Sequence, residues 1–217
     1  MIKFENVSVT YPGGVEALKD LNLEIKDGDF IIIVGLSGAG KSTLLRTVNN
    51  LVKPSTGSVY LEGKNVTSAK KKELKKIRSQ IGMIFQTFNL VNRSTVLKNV
   101  LTGRLSNIST IRSILGLWPK DQKEMAFEAL NQVEILEKAY VRASNLSGGQ
   151  QQRVGIARAL SQKPKVMLAD EPVASLDPIT SRVVMSYLKK INTELGITTI
   201  VNLHFLDLAK EFGDRLI

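Results

Sequence analysis

The stretch "FIIIVGLSGAGKSTLLRTV", residues 30 to 48, decides the fold of this chain. Its apolar beginning predicts a buried strand, its glycine-rich middle a tight loop and its end a helix. From Gly35 to Ser42 the loop has the spacing G-x-x-x-x-G-K-S. In this pattern backbone amides can wrap phosphate oxygens, the lysine can meet the outer phosphates and the serine hydroxyl can bind Mg²⁺. A simple strand-to-helix turn would not require Lys41 and Ser42, so the stretch predicts nucleotide binding.

A second set of chemical groups follows another apolar run, in "KVMLADEP", residues 165 to 172. Pro172 prevents the strand from continuing regularly, which leaves Asp170 and Glu171 at its end. Asp170 suits a carboxylate that holds Mg²⁺ directly or through water, and Glu171 suits one that polarises an attacking water. An acidic loop tip is the ordinary alternative. Together with the glycine-rich loop, the pair predicts hydrolysis.

The segment "NLSGGQQQR", residues 145 to 153, combines a helix start with two glycines. Ser147 and Gln150 have the spacing of a capping box. Gly148 and Gly149 would each cost the first turn about 1 kcal/mol relative to alanine. Capping does not require that cost, whereas bare amides at a helix start can receive an anion. The segment is therefore either a glycine-containing cap or a second phosphate cradle.

Three single residues are weaker candidates. Gln86 follows the apolar run "IGMIF" and could contact Mg²⁺ and the attacking water, or be an ordinary surface residue. His204, the only histidine, follows "ITTIVNL" and could hydrogen-bond a terminal phosphate, or be a loop residue. Asp177 precedes Pro178 in "SLDP", which is typical of a helix N-cap and does not exclude a second role.

Length and composition set limits on the class of protein. The 217 residues suffice for one large domain or two small ones, and a hydrophobic content of 43% can fill a core. The absence of cysteine excludes disulfides and cysteine metal sites. No stretch approaches the roughly 18 apolar residues of a membrane span, and the alternating start lacks the apolar core of a secretion signal. We therefore expect a cytosolic protein that does not cross a bilayer by itself.

The net charge raises the question of a nucleic-acid or membrane-surface partner. Its formal value is +10, and its densest run is "KKKELKKIR" at residues 70 to 78. With Leu74 and Ile77 on one edge, this run is typical of a short solvated helix. A protein that stacks on single-stranded nucleic acid requires aromatic residues among its basic residues, and this run has none. A solvated face is therefore favoured over a dedicated binding patch, and nucleic acid is not the expected partner.

Strand and helix patterns alternate along the chain. The early strand patterns alternate apolar and polar residues, as in a half-exposed antiparallel sheet, whereas the later ones are continuously apolar, as in a covered parallel sheet. Residues 87–147 have no convincing strand and read as helical. The predicted strands are residues 3–10, 21–25, 30–34, 58–61, 81–85, 166–169 and 197–203, and the helix after Ser147 is expected to reach about Lys163. The sequence thus predicts an α/β fold with a helical insertion.

Taken in order, "GLSGAGKS", Gln86, "LSGGQ", "VMLADE", "SLD" and His204 resemble the ATP-binding subunits of ABC transporters over nearly the whole chain. The resemblance implies a P-loop NTPase core with a mostly parallel sheet, an N-terminal antiparallel β subdomain and an inserted α-helical subdomain. It implies one ATP-binding domain over residues 1–217. In that domain, residues 1–86 and 148–217 form the β subdomain and nucleotide-binding core, and residues 87–147 form the helical subdomain.

The same resemblance implies ATP and Mg²⁺ as cofactors and assigns a role to each candidate residue. Tyr11 would stack on adenine, Glu171 would act on water, His204 would sense the γ-phosphate, and Gln86 would also couple the nucleotide to a membrane partner. The implied nucleotide-binding residues are Tyr11, Gly35, Leu36, Ser37, Gly38, Ala39, Gly40, Lys41, Ser42, Thr43, Ser147, Gly148, Gly149, Gln150 and Asp177. The implied metal-binding residues are Ser42, Gln86 and Asp170, and the implied catalytic residues are Glu171, His204 and Gln86.

The resemblance also implies partners. In this family two ATP-binding subunits form a head-to-tail dimer, in which Ser147 and Gly149 of one copy close over the γ-phosphate held at Lys41 of the other. Transmembrane permease subunits and, indirectly, a substrate-binding protein complete the assembly at the cytoplasmic face of the membrane. The segments "NVLTGRL", "LGLWPK", "ADEPVASLDP" and "VNLHFLDLA" resemble the phosphonate-import branch. Import of another small solute, or a soluble ABC-type ATPase acting on nucleic acid, are the alternatives.

Overall fold

Nine strands form two sheets in the computed structural model, which describes all 217 residues. The strands are β1 (Ile2–Thr10), β2 (Glu16–Ile25), β3 (Phe30–Val34), β4 (Thr56–Leu61), β5 (Lys64–Asn65), β6 (Ile81–Ile84), β7 (Val166–Asp170), β8 (Thr198–Leu203) and β9 (Arg215–Leu216). The α-helices are α1 (Lys41–Val48), α2 (Lys71–Arg78), α3 (Val96–Leu101), α4 (Thr110–Ile114), α5 (Lys120–Gln132), α6 (Gly148–Leu160), α7 (Pro178–Leu195) and α8 (Leu206–Phe212).

The first sheet is antiparallel and has the strand order β2-β1-β4-β5. In β1 the side chains of Ile2 and Phe4 are buried, and after a register shift those of Val7 and Val9 are buried. Asn6, at the shift, has a φ of 49°, so one extra residue moves the apolar alternation into a new phase. The alternating pattern at the N-terminus therefore predicted this sheet correctly.

The second sheet is parallel and has the order β6-β7-β8-β3-β9. In β3, Phe30 and Ile32 pack into the core shared with helices α3, α5, α6 and α7. Ile31 and Ile33 pack on the opposite face, among residues of the antiparallel sheet and α1. Because both faces are covered, β3 reads as a continuous apolar run, and the predicted α/β class is confirmed.

Residues 87–147 contain helices and turns, with a single isolated bridge between Thr95 and Arg142 as their only β pairing. Helices α3 and α5 pack against α6, where Val100, Leu130 and Val154 are fully buried in one core. The predicted helical insertion is therefore present. No helix of the chain is both long enough and apolar enough to span a membrane.

The element boundaries differ from the expectation in places where the sequence carries no periodic signal. Helix α6 ends at Leu160 rather than near Lys163, because Lys163 takes a φ of 55° just before Pro164. Strand β2 begins at Glu16, five residues earlier than expected, and β8 begins at Thr198, one residue later. The short strands β5 and β9 were missed, since two residues are too few to show an alternation.

Candidate functional site

The candidate residues gather at the carboxyl edge of the parallel sheet. The glycine-rich loop leaves β3, Gln86 follows β6, Glu171 follows β7 and His204 follows β8. The register pairs Val34 with Leu203 and Asp170 with Asn202, so these strands end side by side. Open parallel sheets bind ligands at this edge, and the topology alone brings residues distant in sequence together.

The glycine-rich loop has a backbone that other residues could not adopt without strain. Gly38 and Gly40 have φ values of 82° and 85°, and a Cβ on Gly40 would collide with the backbone oxygen of Ala17. Gly40 is also the N-cap of α1, whose first residue is Lys41. The loop therefore turns its exposed amides toward the start of a helix, where the helix dipole favours an anion.

The side chain of Lys41 lies against this loop and the residue is 7% exposed. Its Nζ donates hydrogen bonds to the carbonyl oxygens of Gly35 and Leu36, at 2.8 and 2.9 Å. The ammonium group is thus held inside the loop curve as a fixed positive charge. Of the other loop residues, Leu36, Ser37 and Ala39 are exposed.

Asp170 is the most completely hydrogen-bonded acid of the site, with a side chain only 5% exposed. Its Oδ1 accepts from the Ser42 hydroxyl at 2.7 Å and from the Asn202 amide at 3.0 Å. Its Oδ2 accepts from Nε and Nη2 of Arg46, at 3.1 and 2.9 Å. Ser42 and Asp170, each predicted as a metal ligand, therefore lie in direct contact, and the carboxylate is oriented by three residues.

Glu171 and His204, the first residues after strands β7 and β8, are in contact with each other. Nε2 of His204 lies 2.6 Å from Oε1 of Glu171. Glu171 has a φ of 51°, a left-handed conformation that is uncommon for a residue with a side chain. The chain therefore turns sharply after Asp170, and the turn directs Glu171 to the end of the neighbouring strand.

Tyr11 and Gln86 lie at the margin of this cluster. The Tyr11 hydroxyl is 3.1 Å from Oγ1 of Thr43 in the first turn of α1, and the residue is 39% exposed. Gln86 is exposed and its side chain makes no hydrogen bond. Its strand neighbours β7, with Ile84 paired to Ala169, so Gln86 lies at the same sheet edge as Asp170.

Residues Ser147, Gly148 and Gly149, here called the serine-diglycine turn, begin α6 as the sequence predicted, with both hydrogen bonds of the capping box. Oγ of Ser147 accepts from the amide of Gln150 at 3.4 Å, and Oε1 of Gln150 accepts from the amide of Ser147 at 3.0 Å. A Cβ on Gly149 would collide with Cγ2 of Thr180, and one on Gly148 would lie 3.3 Å from Leu176. Close packing against Leu176 and the start of α7 therefore explains, within one chain, why residues 148 and 149 lack side chains.

Asp177 is the N-cap of α7, with Pro178 in the first turn as expected. Its Oδ1 accepts from the amides of Ile179 and Thr180 at 3.1 and 3.0 Å. Hydrogen bonds from the Thr180 side chain and these amides lower the pKa of the Asp177 carboxyl below its usual value. A cavity of about 250 Å³ nearby is lined by the first two turns of α6 and α7 and by no residue of the glycine-rich loop.

The site is thus divided within one chain. The glycine-rich loop, Asp170, Glu171 and His204 come together, whereas the serine-diglycine turn and Thr180, in the helix that Asp177 caps, border a separate cavity. Two residues that contact Asp170 were not among the sequence candidates, Arg46 and Asn202. Asn202 could have been recognised from the sequence, because it is a polar residue that follows the apolar residues Ile200 and Val201 in β8. Arg46 stands one helical turn after Ser42, a spacing that places both on one face of α1.

Comparisons with known proteins agree with this geometry. A family model described as ABC transporter matches residues 18–174. The "Phosphonates import ATP-binding protein PhnC" of Bacillus thuringiensis subsp. konkukian is 60% identical over all of this chain and 84% of its own length. "Phosphonates import ATP-binding protein PhnC 3" of Halalkalibacterium halodurans is 57% identical over the same shares.

Solved structures show the same likeness. The dimeric structure of MJ0796, described as a bacterial ABC transporter cassette, has a TM-score of 0.87 and 40% identity, covering all of this chain and 93% of that one. The structure of cbiO1 from Clostridium perfringens, described as part of the ABC transporter complex cbiONQ, has a TM-score of 0.86 and 33% identity over 98% of this chain and 82% of that one. The phosphate-binding loop, the acids at the sheet edge and the helical insertion therefore have one explanation: this chain belongs to the family of ABC transporter ATP-binding subunits.

Proposed function

We propose that this chain binds and hydrolyses ATP to power a membrane importer of phosphonates. The observation that carries the proposal is the meeting of Lys41, Ser42, Asp170, Glu171 and His204 at one sheet edge. A charge for phosphates, oxygen donors for a metal and a carboxylate beside an imidazole are together what phosphoryl transfer to water requires.

ATP would lie along the glycine-rich loop. The amides from Gly35 to Thr43 would surround the phosphates, and Nζ of Lys41 would exchange its bonds to loop carbonyls for phosphate oxygens. Tyr11 is exposed enough to stack on the adenine while its hydroxyl stays on Thr43. The base would then lie beside the end of β1.

The donor set around Ser42 and Asp170 fits Mg²⁺, because a hydroxyl and a carboxylate are hard oxygen ligands. No group of three or more His, Cys, Asp or Glu side chains in the chain could hold a metal by itself. That suits an ion held mainly by ATP phosphates and water, with Gln86 at the margin. When bound, Mg²⁺ would neutralise charge on the two outer phosphates.

Hydrolysis would depend on Glu171 and His204. The Glu171 carboxylate would accept a hydrogen bond from a water aligned with the γ-phosphate and draw its proton as the oxygen bonds to phosphorus. The Nε2–H of His204, which lies against Glu171, would be shared between that carboxylate and an oxygen of the γ-phosphate. The bond from the γ-phosphorus to the β-phosphate oxygen breaks, and ADP and phosphate remain.

A second copy of this chain would complete the site. At the start of α6, Ser147 is exposed and Gly148, Gly149 and Gln150 are half-buried. The cavity beside them contains no part of their own phosphate loop. In a head-to-tail dimer this turn and Asp177 would close over the ATP held by the other copy. Hydrolysis would then require closure, which links it to movement of a partner.

The partner at the membrane would be a permease, docked between the nucleotide-binding core and the helical subdomain formed by residues 87–147. A groove of about 340 Å³ lies at this junction. Arg158 lines it and donates to the carbonyls of Phe88 and Asn89 at 2.8 and 2.6 Å. Thr102 and Gly103 line it from the helical side, and Phe85 lines it next to Gln86. A permease segment bound in this groove would contact Phe85 and would therefore be displaced when the end of β6 rearranges. The chain would thus lie at the cytoplasmic face of the membrane.

The phosphonate assignment is supported by the relatives, whose names state phosphonate import, and not by a cargo site on this chain. Its test is reconstitution in proteoliposomes with the permease and binding protein of the same gene cluster. We expect ATP hydrolysis that rises when the binding protein carries a phosphonate and not when it carries nothing. A rate unaffected by phosphonate, but raised by another solute or by DNA, would contradict the proposal.

A further inference from the structure

Asn202 is a polar residue at a position where the strand gives no reason for one. It lies in β8, is 0% exposed and follows Ile200 and Val201. Asparagine is unfavourable in strands, where β-branched residues pack better. The sheet alone therefore does not explain this side chain.

The contact that Asn202 makes is with the carboxylate at the centre of the site. Its Nδ2 donates to Oδ1 of Asp170 at 3.0 Å. The two residues are register partners on adjacent parallel strands, so their side chains leave the sheet on the same face. Helix α1 contributes Ser42 to the same carboxylate oxygen.

The orientation of the Asn202 amide is set by this contact. Its own Oδ1 is buried and has no hydrogen-bond partner. Turning the amide over would leave its oxygen facing an ionised carboxylate oxygen, since both groups are acceptors. The chain thus keeps an unpaired amide oxygen in its interior in order to keep one donor on Asp170.

Asp170 is held on its other side by Arg46, which donates twice to Oδ2. Asn202 lies in β8 and Arg46 in α1, and they donate to different oxygens of the Asp170 carboxylate. With both oxygens engaged, the carboxylate is held in one rotamer, with Oδ1 against the Ser42 hydroxyl. Removal of Asn202 would release the oxygen that faces Ser42.

We propose that Asn202 is a positioning residue for the metal-holding pair of Ser42 and Asp170. It acts through Asp170, and it sets how tightly a divalent cation is held with the nucleotide. Groups that orient metal ligands commonly change metal affinity by a factor of ten or more when removed. The proposal rests on the proposed function, which supplies the nucleotide and the cation.

The test separates binding of nucleotide from binding of metal. Asn202→Val removes the donor and the unpaired oxygen and suits a strand. ADP binding to the full chain in EDTA should stay within about twofold, because it does not use the metal pair. The Mn²⁺ affinity of the ADP complex, followed by electron paramagnetic resonance of free Mn²⁺, should fall about tenfold. Asn202→Leu, nearly the shape of asparagine, should give the same loss.

A buried threonine on the same strand provides the matched control. Thr199 is 1% exposed and its hydroxyl bonds to the carbonyl of Ile197, away from Asp170. Thr199→Val should leave Mn²⁺ affinity unchanged. Wild-type Mn²⁺ affinity in both Asn202 variants would overturn the proposal, as would parallel losses of metal-free ADP binding and metal binding. If the wild-type chain itself shows no metal-dependent nucleotide binding, the proposed function fails instead.

Discussion

The imidazole Nε2 of His204 lies 2.6 Å from Oε1 of Glu171, although the two residues are 33 positions apart in sequence. The contact follows from the sheet, since β7 and β8 are adjacent and parallel and each residue follows its strand directly. A carboxylate held by an imidazole has a defined direction. The fold itself therefore sets the direction of both side chains, which is what catalysis by preorganised groups requires.

The first prediction concerns the carboxylate of this pair. Glu171→Gln keeps the size of the side chain but cannot take a proton, so turnover should fall at least about 100-fold while ATP affinity is retained. The measurements are phosphate release and ATP titration, with size-exclusion chromatography in Mg-ATP to detect an accumulated dimer. Glu211→Gln, an exposed carboxylate paired with Arg182, is the control. A Glu171→Gln rate equal to wild type would remove this residue from the mechanism.

The second prediction concerns His204. His204→Ala should lower the rate of hydrolysis more than the affinity for ATP, because it removes the group that orients Glu171. Combined with Glu171→Gln it should cost little more than Glu171→Gln alone, since residues that act as a unit are not additive. The double variant is compared with the two single variants by phosphate release. Multiplicative losses would mean that the two side chains act independently.

The third prediction separates binding from turnover. Lys41→Ala removes the fixed charge inside the glycine-rich loop, so ATP affinity itself should fall by about tenfold or more, as expected when a charge-assisted hydrogen bond is lost. Isothermal titration with ATP measures this directly. Lys53→Ala, an exposed lysine outside the site, should bind ATP like the wild type. Unchanged affinity in Lys41→Ala would place the phosphates elsewhere.

Most of the fold could be predicted from sequence because its signals are local. The apolar run of β3, the glycine spacing after it and the capping box of Ser147 and Gln150 each depend on neighbours within a few residues. The parallel core and helical insertion followed from these patterns. The two-residue strands β5 and β9 could not be found, because their pairing depends on partners brought near by the rest of the chain.

The candidate site was partly predictable for the same reason. Motif spacing identified Lys41 and Ser42, and the end of an apolar run identified Asp170. Neither signal could reveal that Arg46 and Asn202 hold the same carboxylate from different sides. Those contacts exist only because α1 and β8 pack together. For Asn202, the sequence shows an amide in an apolar run, but only the strand register, which pairs it with Asp170, shows what the amide contacts.

The fourth prediction is a pH dependence of stability. Glu62 accepts from Lys165 at 2.7 Å and from the N-terminal amine at 2.9 Å, and these contacts lower the pKa of the Glu62 carboxyl to about 2. Because the folded pKa lies below the unfolded one, the contribution is present above about pH 4.5 and is lost as the pH falls toward 2. Its size should be about 0.2–1 kcal/mol, as for other surface pairs.

Glu62→Gln should therefore lower the free energy of unfolding at pH 7 and leave a smaller decline between pH 4.5 and 2 than in the wild type. Urea titrations across that range measure both effects. Glu16→Gln, whose carboxylate is 3.8 Å from Lys19 on the surface, serves as the control. An acid decline in Glu62→Gln as steep as in the wild type would show that other groups cause it.

The last prediction decides why α6 begins with glycines. A Cβ on Gly149 would meet Cγ2 of Thr180 within the same chain, so Gly149→Ala introduces a local clash. Thr180→Ser removes that methyl and keeps the hydroxyl.

If Gly149 is required only for packing, Gly149→Ala combined with Thr180→Ser should recover both stability and turnover. If the turn closes over ATP held by a second copy, stability should recover while the ATP-induced dimer and turnover stay reduced, by about tenfold or more for a lost charge-assisted contact. We expect the second outcome. Thermal unfolding and phosphate release are measured with Glu171 in place, and the ATP-induced dimer by size-exclusion chromatography in the Glu171→Gln background, with Thr180→Ser alone as the control. Full recovery of dimer and turnover would assign Gly149 to packing and leave the dimer without its proposed contact.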